Sequence, residues 1–287
     1  MSYYKILGFK KEPFSTSPDP EFLYLAKDHD TVLVNTLIEL RLRRGLSVIL
    51  GDIGTGKTSL SRKLIQELSQ REDFIFHMVL DPGFLDEEEF LKYLLKNFGT
   101  EANSSSLIDL KETLEKFLFQ KGVIEDKTVV LIIDEAQKLN PNSLETLRIL
   151  LNYETNEFKL LQLVLLGQLE LHTKIMSIPN FLDRISFKYT LNPLSKKETA
   201  EMIEFRVRKA GYSSKMHLFL DEAIEEIYNY TKGYPRRITL LCHKALKELI
   251  LRNRFVVDAK LVLDLIEKEK KTGWYSQLTL PKAETGE

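Results

Sequence analysis

Eight consecutive residues carry the spacing of a phosphate-binding loop. The pattern G-x-x-x-x-G-K-[ST] is met at every fixed position by Gly51, Asp52, Ile53, Gly54, Thr55, Gly56, Lys57 and Thr58. Glycines let such a loop curl so that its N–H groups point at a β-phosphate, which the positive end of the following helix also attracts. Lys57 would reach the β- and γ-phosphates, and the Thr58 hydroxyl would ligate Mg²⁺. The spacing therefore indicates binding of a nucleoside triphosphate.

The flanking residues favour this interpretation over a glycine-rich turn without chemistry. Residues 46–50 are apolar and predict a buried strand that ends at the loop. Residues 59–69 predict a helix that leaves it, so Ser59 joins the candidate nucleotide contacts.

A second apolar run, residues 128–133, ends in two carboxylates, Asp134 and Glu135. Such a run is typical of a central parallel strand buried on both faces. Asp134 would hold the Mg²⁺ shell, and Glu135 would accept a proton from, or orient, the attacking water. Because adjacent strand residues face opposite ways, we expect the strand to end near Asp134 so that both carboxylates serve one site.

Three further side chains are candidates with an alternative each. Gln168 follows a third apolar run, residues 160–166, and would touch the γ-phosphate or the water, a role called sensor 1. An ordinary loop amide is the alternative for this residue. Phe22 and Tyr24, upstream of the first strand, are either core side chains or contacts to the adenine base.

Composition limits the classes of function. The 287 residues are 43% hydrophobic, which is enough for one large domain or two smaller ones, and we expect two. A net charge of −1 does not indicate chain-wide binding of polyanions. Cys242 is the only cysteine, which excludes an intramolecular disulfide and a thiolate zinc site. No run approaches the ~18 apolar residues of a membrane helix, so we expect a cytoplasmic protein without membrane insertion.

The pattern changes at Pro193. Up to residue 192, apolar strands alternate with helical patterns, which predicts an α/β nucleotide-binding domain with an N-terminal extension over residues 1–192. Beyond it, only helices are predicted, in a small domain over residues 193–271 that precedes a polar tail over residues 272–287. Residues 195–271 carry 17 Lys and Arg against 12 Asp and Glu, a charge of +5, which forms either a solvated surface or a binding face.

The order of these motifs, together with Arg184 and a Gly-x-Pro-Arg motif ending at Arg236, resembles that of the AAA+ ATPases. More narrowly, the chain looks like the ExeA/GspA secretion-ATPase family. The residues that carry this resemblance are Pro13-Phe14, Pro18-Asp19-Pro20, Phe22-Leu23-Tyr24, His29, Asp134-Glu135-Ala136-Gln137, Gly167-Gln168, Gly233-Tyr234-Pro235-Arg236 and Leu240-Leu241-Cys242. It covers about residues 3–270.

The resemblance implies a five-stranded parallel sheet between helices, then a small all-helical lid, with ATP and Mg²⁺ in the cleft. It also implies that Arg236 is the sensor 2 arginine, in contact with the nucleotide. Arg184 resembles an arginine finger offered to the γ-phosphate of the neighbouring subunit. Hydrolysis would then need a homo-oligomer, which is either a ring or a filament. One such arrangement has six subunits per turn.

Secretion members of this family continue into a membrane segment, which is absent from this sequence. Stand-alone ATPases similar to the TnsC, TniB and IstB regulators of transposition share the shorter form and assemble on DNA. We therefore expect an ATP-controlled regulator of transposition or recombination, with double-stranded DNA and a transposase as partners. The alternative is a cytoplasmic ATPase for type II secretion or pilus assembly. The candidate DNA contacts on the first lid helix are Lys196, Lys197, Arg206, Arg208 and Lys209.

Overall fold

The computed structural model describes residues 3–17, 19–100 and 106–271. Within these ranges the chain forms two compact units. Residues 19–192 make up the P-loop unit, and residues 3–17 together with 193–271 make up the helical unit. The polar tail that we expect over residues 272–287, including Trp274, lies outside the described residues.

The elements follow the alternation predicted from the sequence. The strands are β1 (Leu46–Gly51), β2 (Phe74–Val79), β3 (Thr128–Ile133), β4 (Leu161–Gly167) and β5 (Ile185–Leu191). The helices are α1 (Tyr3–Ile6), α2 (Lys27–Arg41), α3 (Lys57–Leu68), α4 (Glu87–Asn97), α5 (Leu107–Phe119), α6 (Pro141–Leu150), α7 (Glu170–Met176), α8 (Lys196–Lys209), α9 (Asp221–Thr231), α10 (Pro235–Leu251) and α11 (Ala259–Lys271). In the described part of the chain, none of these helices has the length and apolar character needed to cross a bilayer.

The P-loop unit is built on one sheet with the strand order β2-β3-β4-β1-β5. Every neighbouring pair is parallel, which confirms the predicted five-stranded parallel sheet between helices. The carboxyl ends of all five strands therefore lie at the same edge of the sheet. Ligands of open parallel sheets bind at this edge. Strand β1 ends there and continues into the phosphate-binding loop.

The core explains why the central strand reads as a continuous apolar run. All six residues of β3 are buried, and alternate side chains enter opposite faces of the sheet. Val129 and Leu131 pack with α4, α5, α6 and α7 on one face. Val130 and Ile132 pack with α2 and α3 on the other face. The sheet is thus covered on both sides, and its loops at the carboxyl edge are left to form a site.

Four helices, α8 to α11, form the body of the helical unit, as the sequence predicts. Helix α8 begins with the capping box that its sequence indicates. The Ser195 side chain accepts a hydrogen bond from the Glu198 backbone, and the Glu198 carboxylate accepts one from the Ser195 N–H. This reciprocal pair fixes where the first helix of the unit starts.

The first residues of the chain belong to the helical unit, whereas we expected them as an extension of the nucleotide-binding domain. The backbone N–H of Lys10 donates to the Ala210 carbonyl oxygen at 2.8 Å. Phe14 is fully buried, with its ring centroid 5.7 Å from that of Phe219. Apolar side chains of this segment therefore complete the core of the helical unit, which explains its location.

Four of the five basic residues named on α8 contact a partner side chain within the helical unit. Arg206 is buried, and its guanidinium donates to the Thr239 hydroxyl at 2.6 Å. Three other basic residues of α8 form ion pairs: Lys196 with Glu225, Lys197 with Glu201, and Arg208 with Glu204. Burial therefore removes Arg206 from the candidate surface contacts, whereas Lys196, Lys197, Arg208 and Lys209 are exposed, and DNA contact by these four residues stays a prediction.

Candidate nucleotide-binding site

The loop between β1 and α3 has the backbone shape that its glycines predict. Gly56, which caps α3, has a φ angle of 102°. A Cβ atom at this position would lie 2.8 Å from Nε2 of His29, so both the conformation and the space require glycine. The loop therefore curls directly into the N-terminus of α3, where backbone N–H groups can face an anion.

Lys57, the first residue of α3, points back into this loop and is only 5% exposed. Its Nζ atom donates to the carbonyl oxygens of Gly51 at 2.7 Å and Asp52 at 2.9 Å. Burial lowers the pKa of the Lys57 ammonium, and the charges of Glu135 and Asp134 oppose this shift. The lysine is thus held at the loop and lies in the field of both carboxylates.

Asp134 lies directly after the end of β3 and is 2% exposed. Burial raises the pKa of its carboxyl group, while a hydrogen bond to Thr58 and the Glu135 backbone N–H oppose the rise. A carboxylate and a hydroxyl therefore meet at the end of the P-loop. Hard oxygen donors of this kind are the protein ligands that Mg²⁺ prefers beside phosphate oxygens and water, so the donor set fits this ion.

Glu135 has a left-handed backbone, with φ 53° and ψ 35°. Its N–H donates to Asp134 Oδ1 at 3.0 Å, and its Oε2 accepts from Gln137 Nε2 at 2.7 Å. A non-glycine residue in this conformation carries a cost of order 1–3 kcal/mol that surrounding structure must offset. The strand alternation is broken here, so the two neighbouring carboxylates need not face opposite ways.

Gln168 is half-buried directly after β4. Because β4 lies between β3 and β1, this residue shares the carboxyl edge with the P-loop and Asp134. Its backbone N–H donates to Gln137 Oε1 at 3.0 Å. Gln137 was absent from our candidate residues, although an amide three residues after Asp134, in the motif that ends the strand, is the signal that would have identified it.

His29 of α2 is a second residue that the sequence did not single out for a role. It is 2% exposed, and its Nε2 donates to the Thr55 carbonyl oxygen at 2.8 Å. The available signal was a histidine at the start of the helix that precedes the first strand. Its contact with the loop emerges only from the folding of α2 over β1.

Arg184 lies far from this site within the P-loop unit. It directly precedes β5, whose first residue, Ile185, pairs with Leu46 at the start of β1. The P-loop begins five residues later, at Gly51, so roughly 17 Å of strand separates the two ends at about 3.3 Å per residue. Arg184 is therefore at the amino edge. There the hydrogen bond from Lys159 lowers the pKa of the Glu154 carboxyl, burial opposes this shift, and the charges of Lys159 and Arg184 add to the lowering.

The other three candidates, Phe22, Tyr24 and Arg236, differ in burial and in the unit to which they belong. Phe22 ends a 3-10 turn, Pro20–Phe22, that packs on α3, and it is 5% exposed. Tyr24 is half-buried in the segment that follows. Arg236 belongs to the helical unit, where it is exposed in the first turn of α10. The structure thus brings together Lys57, Thr58, Asp134, Glu135 and Gln168, and it keeps Arg184 apart from them.

Comparison with known proteins agrees with this arrangement. Residues 40–175, which include the P-loop and both carboxylates, match the model of a family described as AAA domain. General secretion pathway protein A of Aeromonas hydrophila is 33% identical over 246 residues, which are 85% of this chain and 44% of that relative. The chain therefore spans less than half the length of this relative. A potential ATP-binding protein of Staphylococcus aureus is 32% identical over 110 residues, 38% of this chain and 39% of that protein.

Solved structures share the fold at lower identity. The ORC2 protein of Aeropyrum pernix, in ADPNP–ADP complexes, superimposes with a TM-score of 0.62 at 17% identity, covering 85% of this chain and 68% of that one. Drosophila ORC bound to DNA gives a TM-score of 0.62 at 18% identity and covers 91% and 66%. With the family match and the parallel sheet, these likenesses show that the protein has the AAA+ fold and that residues 40–175 contain an AAA domain.

Proposed function

We infer that this protein binds ATP with Mg²⁺ and hydrolyses it. The observation that carries this proposal is the meeting of the P-loop lysine, its threonine and two carboxylates at the carboxyl edge of one parallel sheet. Lysine and backbone N–H groups provide positive charge for phosphates, whereas a buried carboxylate beside a hydroxyl provides oxygens for a cation. Phosphoryl transfer depends mainly on positioning and on charge stabilisation of this kind.

Each residue then has a defined task. Residues 51–56 hold the phosphates with backbone N–H groups, helped by Ser59 at the start of α3, and Lys57 extends to the outer phosphates. Thr58 and Asp134 hold Mg²⁺, which when bound neutralises charge on the phosphate oxygens. Glu135 accepts a proton from the attacking water, and Gln168 orients that water or the γ-phosphate.

The nucleotide base and the helical unit complete the proposal. Phe22 and Tyr24 are candidates for contact with the adenine base, with core packing as the competing role for both, and burial favours that role for Phe22. Arg236 is assigned to the phosphates as sensor 2, because its exposed guanidinium stands in the first turn of α10. We also assign a lid role to residues 193–271.

Substitution Glu135→Gln tests the hydrolase directly. The amide keeps the shape of the side chain but cannot accept the proton of the water, so turnover should fall at least about a hundredfold while ATP binding remains. Glu72→Gln, an exposed glutamate just before β2, is the matched control and should leave turnover unchanged. Equal turnover in Glu135→Gln and parent would leave only a nucleotide-binding module.

We also propose that hydrolysis takes place in a homo-oligomer, a ring or a filament, and the location of Arg184 supports this. A residue at the amino edge cannot reach the P-loop of its own unit across about 17 Å of strand. A neighbouring copy can present the guanidinium to that site instead, and an arginine finger is worth about 10³–10⁵ in rate. We therefore assign Arg184 to the γ-phosphate of the adjacent subunit.

For the biological process, we propose a role in a general secretion pathway. The 33% identity to general secretion pathway protein A over most of this chain supports it. Regulation of a transposase on double-stranded DNA is the second candidate, and the fold shared with the Drosophila ORC bound to DNA favours a DNA partner. The charge of +5 over residues 195–271 also motivates the second candidate, because the ion pairs on α8 are included in that balance and leave it unchanged.

A gel-shift titration with duplex DNA, with and without a slowly hydrolysed ATP analogue, separates the two processes. A DNA-associated regulator should bind more tightly with the analogue, should lose affinity steeply as salt rises, and should show little sequence preference. Absence of analogue-dependent binding at low salt would contradict the DNA partner and leave the secretion role.

A further inference from the structure

One amide side chain joins the ends of two neighbouring strands at the site. Gln137 lies in the 3-10 turn Ala136–Lys138 that follows Glu135. Its Nε2 donates to Glu135 Oε2 at 2.7 Å, and its Oε1 accepts the backbone N–H of Gln168 at 3.0 Å. The carboxylate beyond β3 is therefore linked through a single side chain to the backbone that follows β4.

The orientation of this amide is fixed by the chemistry of its partners. A carboxylate oxygen can only accept and a backbone N–H can only donate, so the Gln137 nitrogen must face Glu135 and its oxygen must face Gln168. A rotated amide would lose both hydrogen bonds. The link therefore holds Glu135 in one direction, unlike a hydroxyl, which could turn to suit several arrangements.

Two other features hold Gln137 in place. Gly167 ends β4, and a Cβ atom there would lie 3.1 Å from Gln137 Oε1, so glycine provides room for the side chain. Lys174 of α7 donates to the backbone carbonyl oxygens of Gln137 and Leu139. Both ends of the residue, side chain and backbone, are thus tied to the segment that carries Gln168.

We propose that Gln137 is a positioning residue that holds the Glu135 carboxylate for attack by water and couples it to the end of β4. This inference rests on the proposed hydrolase function. With Oε2 engaged by Gln137, Oε1 is the oxygen that we assign to the water. Glu135 also has a left-handed backbone, a conformation that persists only where surrounding contacts hold it, and Gln137 supplies the contact to its side chain.

Substitution Gln137→Met retains the length of the side chain and removes both hydrogen bonds. We expect kcat to fall about tenfold or more, with KM within about threefold of the parent, because nucleotide contacts are unchanged. Gln66→Met, at an exposed position of α3, is the matched control and should keep both constants. If turnover of the parent depends on Glu135, a parent-like or raised kcat in Gln137→Met would overturn the proposal for Gln137 and would leave the hydrolase function in place.

A double-mutant cycle distinguishes positioning from a structural role. If Gln137 acts through Glu135, adding Gln137→Met to Glu135→Gln should cause no further fall in single-turnover rate. If Gln137→Met lowers the single-turnover rate of Glu135→Gln by the same factor as it lowers that of the parent, the proposal is overturned. A parent no faster than Glu135→Gln would instead overturn the hydrolase function itself, and the assignment of Gln137 with it.

A measurement without nucleotide tests the link independently of activity. The side-chain amide signals of Gln137 can be identified in ¹H–¹⁵N spectra by their loss in Gln137→Met. We expect these signals to shift in Glu135→Ala, because the carboxylate acceptor is removed. Unchanged amide signals in Glu135→Ala would overturn the proposed link.

Discussion

The Nε2 atom of His29 lies 2.8 Å from the carbonyl oxygen of Thr55. This hydrogen bond joins the start of α2 to the middle of the phosphate-binding loop. Because the same imidazole nitrogen occupies the space beside Gly56, the histidine both holds the loop and limits what can replace its glycine. The shape of the loop is therefore set by a residue that precedes it by more than twenty positions.

Substitution His29→Phe should weaken nucleotide binding by about tenfold. The ring keeps its bulk but donates no hydrogen bond, so the Thr55 carbonyl is left without this donor in a buried place and the loop loses its anchor. Titration with a fluorescent ATP analogue measures the effect. His172→Phe, at an exposed position of α7, is the control, and equal affinities in both variants would contradict a role for His29 in shaping the loop.

Mixing two inactive variants should restore ATPase activity if Arg184 acts on a neighbouring subunit. Arg184→Ala subunits keep their P-loops, and Lys57→Ala subunits keep their arginines, so an interface between the two kinds contains one complete site. Steady-state ATPase assays over a range of mixing ratios measure the rescue.

Mixtures of Lys57→Ala with Glu135→Gln are the control for this experiment. Both substitutions damage the same half of an interface, so their mixture should stay inactive. Specific activity of the parent should also rise with protein concentration. A concentration-independent rate without rescue would make Arg184 a surface residue.

Arg43 should contribute more to stability than other arginines of the P-loop unit. Its side chain is 14% exposed and donates to Thr128 Oγ1 at 3.0 Å and to the Gly122 carbonyl oxygen at 3.2 Å. Its guanidinium also lies 4.5 Å from the Phe158 ring centroid. Arg43→Ala should lower the free energy of unfolding by about 2–3 kcal/mol, because these buried groups lose their partner.

Chemical denaturation, followed by circular dichroism, measures this loss. Arg71→Ala is the control, since Arg71 also pairs with a carboxylate and lies 5.0 Å from the Phe74 ring, but at a more exposed position. Its loss should be much smaller. Equal losses in the two variants would show that burial of Arg43 has no special weight.

The helical unit should lose stability as pH falls below 6.5. Burial and the nearby Lys247 lower the pKa of His243 from its usual 6.5, against the opposing effect of Glu12, and Lys244 adds to the lowering. Between the lowered value and 6.5 the unfolded chain binds more protons than the folded one, so the free energy of unfolding falls as pH falls. His243 also contacts the Tyr3 hydroxyl, at 2.8 Å.

Melting temperatures of the parent and of His243→Gln across pH 5–8 test this sign. The variant should lose the part of the decline that begins near 6.5. His217→Gln, at an imidazole that is 69% exposed in the same unit, is the control substitution. A parental decline in His243→Gln would contradict the assignment.

Much of the P-loop unit could be predicted because its central strands, β1, β3 and β4, are buried on both faces. A continuous apolar run such as residues 128–133 favours a buried parallel strand over other structures. The motif at the end of such a run identifies the edge of the sheet that binds ligands. The predicted end of β3 near Asp134 agrees with the structure, where the strand stops at Ile133. The roles of site residues that follow from motif spacing alone could be predicted in the same way.

The residues that were missed depend on contacts between distant segments. Gln137 and His29 each form a hydrogen bond with a backbone atom of a distant segment, and the pattern of side chains along the sequence does not reveal such contacts. Helix α7 was not predicted, because its seven residues are too few for a clear helical period. The pairing of Arg206 with Thr239 likewise joins two helices whose packing cannot be derived from the charge of one of them.

The membership of residues 3–17 in the helical unit has a consequence during synthesis on the ribosome. Phe9 and Phe14 emerge long before the helices that bury them, which begin at Lys196. At about 5–20 residues per second, this delay is roughly 10–40 seconds, during which the P-loop unit can fold and the aromatic segment must wait. Residues 3–17 therefore reach their native contacts only after residues 193–271 have been made, and their apolar side chains are available to chaperones in the meantime.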